Sequence, residues 1–232
     1  MKKIAILQSN YLPWKGYIDL ITAVDEFIIY DCAQYTKRDW RNKNYIKCPN
    51  GKQRLSVPID TKGKYYQKIS EAKIIDSEWK EDHWKSFFLN YKGCKFLDEV
   101  ASFLEPVYFQ ENHIYLSKLN YSILKKICNY LKIKTKITFS SDYQIAEGKA
   151  QKLISLCHQT NANIYVSGPS AKNYIKENAL KAFEENNITL QWMNYSNYPE
   201  YPQKWGKFIH NVSILDLLFN LGSDSLEYIN KN

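Results

Sequence analysis

Residues 34–44 form the segment of the chain that is richest in side chains capable of chemistry. Its polar, aromatic and basic members are Gln34, Tyr35, Lys37, Arg38, Asp39, Trp40, Arg41, Asn42 and Asn44. Asp39 can act as a general base or bind a sugar hydroxyl. Arg38 and Arg41 can hold a phosphate through paired hydrogen bonds. The alternative is an exposed loop with a structural ion pair, but a solvated loop rarely contains a tryptophan and several amides. We therefore interpret the segment as a substrate-binding site.

A second candidate segment, residues 8–17, follows the first apolar run of the chain. Its candidate binding residues are Gln8, Asn10, Tyr11, Trp14, Gly16 and Tyr17. Gly16 permits close approach of a ligand to the backbone near the start of a helix, where free N–H groups favour phosphate. This predicts a phosphate or nucleotide pocket. The alternative is an ordinary turn between a strand and a helix, because one glycine is weaker evidence than a GxGxxG motif.

Two residues, His83 and Asp39, are the candidates for a catalytic base. His83 shares one face of a predicted helix with Trp79 and Phe87. Imidazole titrates near neutral pH and can accept the proton of an amine nucleophile. A histidine of the hydrophobic core would have the same aromatic neighbours, so packing is the alternative interpretation.

The remaining nucleophiles are Cys32, after the second predicted strand, and the serines of Ser167-Gly168-Pro169-Ser170. Cys32 can carry an acyl group as a thioester, although a free cysteine more often packs as a small buried hydrophobe. The turn lacks the nucleophile-elbow pattern, which argues against a catalytic serine. Ser167 and Gly168 follow a predicted strand and are therefore assigned to substrate binding. No metal site is predicted, since the five cysteines form no CxxC pair and the four histidines no HExxH motif.

These side chains must be positioned by the strands and helices around them. Residues 3–30 contain a strand, a loop, a helix and a strand in turn, which predicts a βαβ unit with parallel strands. Residues 78–132 have apolar side chains at helical spacing. Further strands are predicted at 53–59, 136–139, 162–166 and 189–194, and further helices at 149–158, 174–186 and 212–221. The first of these strands is placed at an edge, because Pro58 cannot donate to a strand ladder.

Alternation of strands and helices at both ends of the chain predicts an α/β fold, with a mostly parallel sheet flanked by helices in a Rossmann-like arrangement. Residues 1–75 and 134–232 are expected to form the α/β core, and residues 76–133 an inserted helical cap. Ligands of such sheets bind beyond the carboxyl ends of the strands. Segments 8–17 and 34–44 are therefore expected to meet at one cleft.

The composition limits the classes of partner. The chain has 232 residues, a net charge of +8 and 19 tyrosines, a balance that suits nucleic acid, an anionic membrane surface or a phosphorylated small molecule. Nucleic acid is disfavoured because the densest basic segment is interrupted by Asp, Asn and Trp. No apolar run is long enough for a membrane span or a signal peptide, so the protein is expected in the cytoplasm.

Three blocks of the chain resemble signatures of the WbqC-like family of bacterial surface-polysaccharide and O-antigen gene clusters. They are the residues 8–17, the residues 34–44, and Ser213-Ile-Leu-Asp-Leu-Leu-Phe-Asn220 with Tyr201-Pro-Gln203 before it. Ser167-Gly168 resembles a shorter fourth block. One departure is Ser9, where many relatives carry proline, and it affects the stiffness of the loop more than its chemistry.

The resemblance implies a role in making glycans with acylated amino sugars. The leading hypothesis is an enzyme, a transferase of lipopolysaccharide biosynthesis that moves an acyl group, such as glycyl, to the amine of a nucleotide-linked sugar. Its donor would be an acyl thioester on CoA or on an acyl carrier protein. One alternative is an ATP-dependent nucleotidyl transferase or ligase resembling the HIGH-motif class, although both histidines of that motif are missing. Another is a non-catalytic protein that binds a glycan precursor.

Overall fold

A computed structural model describes residues 1–37, 39–173, 175 and 177–229. The strands are β1 (Lys3–Leu7), β2 (Glu26–Ile29), β3 (Lys43–Cys48), β4 (Gly51–Ser56), β5 (Lys136–Phe139), β6 (Ile164–Ser167) and β7 (Thr189–Trp192). The α-helices are α1 (Lys15–Thr22), α2 (Glu78–Tyr91), α3 (Leu97–Glu105), α4 (Leu116–Tyr130), α5 (Lys149–Gln159), α6 (Glu177–Glu185) and α7 (Ile214–Leu221). A π-helical turn, Pro106–Gln110, continues α3.

Five strands form one parallel sheet in the order β5-β2-β1-β6-β7. Counted among themselves in chain order, these strands run 3-2-1-4-5, which is the order of a doubly wound, Rossmann-like sheet. The prediction of an α/β fold with a parallel sheet flanked by helices is confirmed. The direction of winding reverses between β1 and β6, so a crevice is expected beyond the carboxyl ends of these two strands.

Apolar residues occupy both faces of the central strands, because helices cover both faces. Ala5 and Phe27 belong to a hydrophobic cluster that includes side chains of α1, α4 and α7. Ile4, Ile6 and Tyr165 belong to a second cluster with side chains of α5 and α6. The period-two alternation of strand side chains thus gives each face of the sheet its own layer of helices.

The hairpin of β3 and β4 lies apart from the main sheet as an antiparallel pair. The sequence predicted a strand at 53–59, and the structure has it at Gly51–Ser56, so that Pro58 lies beyond its end. No strand was predicted at Lys43–Cys48, because its polar residues resemble a loop. Local pairing with β4 and burial of Ile46 make this segment a strand.

The helices between β4 and β5, which are α2, α3 and α4, pack continuously with the rest of the molecule. Buried side chains of α2, α3 and α4 belong to the same hydrophobic cluster as Ala5 and Phe27 of the sheet. The division into a core and a cap over residues 76–133 stays a prediction. Among the described residues, no helix is long and apolar enough to cross a membrane.

Candidate functional site

The carboxyl ends of β1 and β2 are joined by a buried polar cluster. The carboxylate of Asp31 accepts hydrogen bonds from the backbone N–H of Ser9 at 2.8 Å, from its hydroxyl at 2.7 Å, and from the hydroxyl of Ser117 at 2.5 Å. The amide of Asn120 donates to the Ser9 hydroxyl at 3.0 Å. These bonds hold the start of the loop after β1 against β2 and α4.

Arg41 connects the two candidate segments. Its Nη1 donates to Asn10 Oδ1 at 2.5 Å and to the carbonyl oxygens of Gln8 and Ser9 at 3.3 Å each. Its Nε lies 3.4 Å from Asp39 Oδ2. The structure therefore brings Gln8, Asn10, Asp39 and Arg41 together. In this arrangement the guanidinium holds the protein's own loop.

His83 lies in the interior, 5% exposed, with both ring nitrogens hydrogen bonded. Its Nε2 accepts from the backbone N–H of Ser56 at 3.1 Å, so the proton of the neutral ring is on Nδ1, 2.7 Å from the hydroxyl of Tyr11. Tyr11 in turn meets the hydroxyl of Tyr108 at 2.5 Å. Burial lowers the pKa of His83 to about 4. The ring is thus neutral and enclosed, as in the packing interpretation.

A glycine is required at position 16 because the side chain of Trp14 leaves no room for a Cβ. A Cβ at this position would lie 2.3 Å from the indole ring of Trp14. Trp14 also contacts Tyr195 and Tyr198 edge to face, at centroid distances of 5.1 and 6.2 Å. The start of α1, where the sequence predicted phosphate, is covered by aromatic rings of the loop between β7 and α7, residues 193–213, which we call the C-terminal loop.

Lys15, which the sequence analysis did not single out, is enclosed by the same loop. Its ammonium group lies 4.9 Å from the ring centre of Tyr198 and 5.5 Å from those of Tyr201 and Phe208. Burial lowers its pKa to about 8. Cation–π attraction of this kind is worth about 0.5–2 kcal/mol and ties the loop to α1.

Asn42 and Asn44 hold backbone groups of neighbouring segments. The amide of Asn44 donates to the carbonyl of Leu12 at 2.6 Å, and the amide of Asn42 to the carbonyl of Val57 at 2.7 Å. The hydroxyl of Tyr17, which is buried, donates to the backbone of the loop after β1. The structure therefore gives these three predicted site residues intramolecular partners.

The other residues of the 34–44 segment are divided between interior and surface. Tyr35 is 6% exposed, whereas the ring of Trp40 is 46% exposed. Gln34 is exposed and donates to the backbone of a nearby loop. Arg38, for which phosphate binding was predicted, lies outside the described residues.

Ser167 is the last residue of β6, a strand at the switch point of the sheet, and Gly168 follows it. The carbonyl of Ser167 accepts from the backbone N–H of Met193 at 2.9 Å, and the side chain is 6% exposed. A Cβ at Gly168 would lie 3.5 Å from the hydroxyl of Tyr195, an ordinary contact. Neither residue is among the described residues that line the cleft at this edge of the sheet.

A cleft of about 1030 Å³ opens at the carboxyl edge of the sheet, on the face covered by α5 and α6. Its lining residues are Ile6, Leu7, Gln8, Tyr30, Cys32, Ala33, Gln34, Lys68, Ile145, Ala146, Glu147, Gly148, Lys149, Ala150, Lys152, Leu153, Tyr165, Ile175, Ala179 and Phe183. Of the predicted binding residues, Gln8 and Gln34 line it. A cavity of this size suits a ligand as large as a nucleotide-linked sugar.

The cleft combines an apolar floor with a cationic wall. Lys149 and Lys152 lie in the first turn of α5, and Lys68, which lies 3.9 Å from a carboxylate oxygen of Glu71, also lines the cleft. Glu147 is the one carboxylate among the described lining residues, and Cys32 the one thiol. Within the described residues, no group of three or more His, Cys, Asp or Glu is arranged to hold a metal ion.

Comparison with known proteins identifies the family. The model of the WbqC-like protein family matches residues 8–228. The chain belongs to the WbqC-like family. It is 49% identical over 229 residues to the uncharacterized protein Rv1507c of Mycobacterium tuberculosis (strain ATCC 25618 / H37Rv), which covers 99% of this chain and 98% of that protein. No solved structure matches the chain.

Two segments that line the cleft of this WbqC-like protein were not predicted from the sequence to be part of a site. Residues 145–153 follow β5, and Lys68 follows the β3–β4 hairpin. A signal for the first was present, since β5 was predicted and the loop after a parallel strand is the expected place for ligand contacts. No signal identified Lys68, because its position depends on a hairpin that was predicted only in part.

Proposed function

We propose that this WbqC-like protein is a transferase of surface-polysaccharide biosynthesis. It binds a nucleotide-linked amino sugar in the cleft and transfers an acyl group to the sugar amine. The observation that carries the proposal is the lining of the cleft, where three lysines face an apolar floor at the switch point of a doubly wound sheet. Doubly wound folds bind nucleotides at this place.

The phosphate groups are assigned to the lysines. Lys149 and Lys152 are one turn apart on α5, and the free N–H groups at the start of this helix add positive potential. Lys68, from the segment after the β3–β4 hairpin, supplies a third positive charge. The apolar surface formed by Ile175 and Phe183 suits the less polar part of the ligand.

The chemical step needs a group that accepts a proton. The sugar amine attacks the carbonyl carbon of an acyl thioester, on CoA or an acyl carrier protein, and the C–S bond breaks to release the thiol. The proton lost by the amine passes to Glu147 and then to the leaving sulfur. Glu147 takes the role first assigned to His83, whose nitrogens both have partners. Asp39, paired with Arg41, orients the loop beside the cleft.

Removal of the lysines should weaken nucleotide binding. We expect Lys149→Ala and Lys152→Ala each to raise the Kd for UDP-N-acetylglucosamine or UDP-glucosamine, by roughly ten- to a hundredfold, the scale of a hydrogen bond to a charged group. Isothermal titration calorimetry at fixed ionic strength measures the change. Lys181→Ala is the matched control, since Lys181 lies on the exposed side of α6 and pairs with Glu177. If all three substitutions raise the Kd equally, the effect comes from the lower net charge of the protein and not from contacts of Lys149 and Lys152 with the phosphates.

Turnover distinguishes the candidate activities. Mass spectrometry after incubation with amino-sugar nucleotides, acyl-CoA and ATP separates three outcomes. An acylated sugar nucleotide supports the proposal, whereas ATP consumption supports a ligase or nucleotidyl transferase. Tight binding without any product supports a non-catalytic binding protein and overturns acyl transfer.

Glu147→Gln should separate chemistry from binding. The amide keeps the size of the side chain but cannot accept the amine proton, so kcat should fall by roughly two to four orders of magnitude. The Kd for the sugar nucleotide should stay within about twofold. Asp39→Asn is the comparison, because loss of a positioning contact raises KM more than it lowers kcat. An unchanged kcat for Glu147→Gln would remove Glu147 from the reaction.

A further inference from the structure

The loop between the β3–β4 hairpin and the cleft wall carries two adjacent, highly exposed aromatic residues. Tyr65 is 73% exposed and Tyr66 is 82% exposed. Their rings contact each other edge to face at a centroid distance of 4.9 Å. Large aromatic side chains gain free energy on burial, so an adjacent pair held in solvent is a feature that requires an explanation.

The loop is joined to the wall of the cleft. Gln34 and Lys68, which both line the cleft, form an isolated antiparallel bridge. The side chain of Gln34 donates to the carbonyl of Tyr65 at 2.9 Å, and the backbone N–H of Tyr35 donates to the carbonyl of Gln67 at 2.9 Å. The aromatic pair is therefore connected directly to a residue of the cleft.

Hydrogen bonds and an ion pair fix the ends of the loop, whereas its tip is exposed to solvent. The amide of Gln67 donates to the carbonyl of Asp60 at 2.9 Å, and Lys64 pairs with the Asp60 carboxylate. Gly63 has a φ of +71°, with no atom within 4 Å of the place of a Cβ. The tip thus lies in open space, away from packed side chains.

We propose that Tyr65 and Tyr66 form the base-recognition element of the cleft, closing over a bound nucleoside diphosphate and stacking on its base. This assignment rests on the proposed function of the cleft. It divides the ligand between two subsites, with the phosphates at the lysines of α5 and the base at the tyrosine loop. Aromatic faces bind bases through stacking, which is tolerant of base identity. The exposed Lys62 beside the pair adds attraction for an anionic ligand.

The two subsites are separated by comparing a nucleotide with its phosphate part alone. Calorimetry gives the Kd of UDP, CDP, GDP and dTDP, and of inorganic pyrophosphate, for the wild type and for the double variant Tyr65→Ala/Tyr66→Ala. We expect the double variant to bind the preferred nucleotide about ten- to a hundredfold more weakly, the size of a base-stacking interaction. Pyrophosphate binding should stay within about twofold of the wild type. Tyr65→Phe/Tyr66→Phe should restore nucleotide affinity, because the ring faces remain.

A control substitution and a second assay complete the test. Leu89→Ala removes a side chain that is 77% exposed on α2, outside the cleft lining, and should change neither Kd. Unchanged nucleotide affinity in the Ala/Ala variant overturns the stacking role, as does an equal loss for nucleotide and pyrophosphate. Loss of co-sedimentation with phosphatidylglycerol vesicles, at unchanged nucleotide affinity, would assign the pair to a membrane surface instead. If the wild-type protein binds neither the nucleotides nor pyrophosphate, the proposed nucleotide site is wrong, and the stacking role of the tyrosines is wrong with it.

Discussion

Asp216→Ala is expected to lower the free energy of unfolding by about 3–5 kcal/mol, the cost of removing one partner from a buried charged network. Asp216 is fully buried on α7. Its carboxylate accepts from the hydroxyls of Tyr91 at 2.8 Å and Tyr201 at 2.5 Å, and from the amide of Gln203 at 2.7 Å. Alanine would leave the hydroxyls of Tyr91 and Tyr201 without an acceptor, and buried unsatisfied polar groups cost about 1–3 kcal/mol each.

The same network holds the C-terminal loop, so the effect should extend beyond α7. Lys47 donates from β3 to Gln203 Oε1 at 2.7 Å and to the carbonyl of Lys207 at 2.6 Å. The backbone N–H of Ile209 donates to Gln203 Oε1 at 2.8 Å. Loss of Asp216 therefore removes the contacts of Tyr201 and Gln203 with α7, and only the bonds to β3 and within the loop remain.

Urea denaturation at pH 7 measures the loss of stability. Asp224→Ala is the control, because it removes an exposed acid from the turn after α7 and should change the free energy of unfolding by less than about 0.5 kcal/mol. Asp216→Asn keeps one acceptor oxygen and should fall between the wild type and Asp216→Ala. Similar stabilities for Asp216→Ala and Asp224→Ala would show that the network contributes little.

The second large effect concerns His83 and depends on pH. Its pKa is lowered by burial from the ordinary 6.5 to about 4 in the folded protein. Between these values the unfolded chain binds a proton that the native protein does not, so acid favours unfolding. Above pH 6.5 the stability from the neutral ring is fully present, and it is lost as the pH falls through this range. The loss amounts to about 3 kcal/mol by pH 4, at 1.36 kcal/mol for each pKa unit.

Other titratable groups also change the stability of the protein in this pH range. The contribution of His83 must therefore be measured as the difference between the wild type and a His83 variant. Burial raises the pKa of Asp19 from 3.8 to about 6, so that stability from its protonated form is lost as the pH rises from 4 to 6, opposite to His83. Burial also lowers the pKa of His113 and His210, in the same sense as His83. The comparison of the wild type with a His83 variant cancels these contributions.

His83→Gln is the variant to compare, because glutamine is neutral at every pH in the range. We expect the wild type to be the more stable protein at pH 7.5, and the gap between the two to shrink by about 3 kcal/mol at pH 4. Urea titrations at several pH values measure it. A gap that does not depend on pH would mean that the ring is protonated equally in both states. Full turnover by the folded His83→Gln protein would confirm packing, whereas a kcat reduced by orders of magnitude would restore His83 as the base.

The sequence by itself determined the fold class and the family. Apolar runs at 3–8, 26–30 and 162–166 identify buried strands, because both faces of a central strand are covered and burial requires continuous apolar residues. The helices at 149–158 and 212–221 were within two residues of their observed ends, since helical periodicity is a local property. Gln8 directly follows β1 at the carboxyl edge of the sheet, because the end of an apolar strand is also a local property of the sequence.

Only the tertiary structure decided which of those side chains line the cleft. Gly16 and Lys15 are enclosed by the C-terminal loop, which lies about 180 residues further along the chain and whose path has no local signal. His83 is buried because Ser56 and Tyr11, from two other segments, supply partners for both of its nitrogens. The open cleft formed instead on the other face of the sheet, where α5 and α6 leave space beside β1. Local spacing can predict that a residue follows a strand, but the layer that covers it is set by helices distant in sequence.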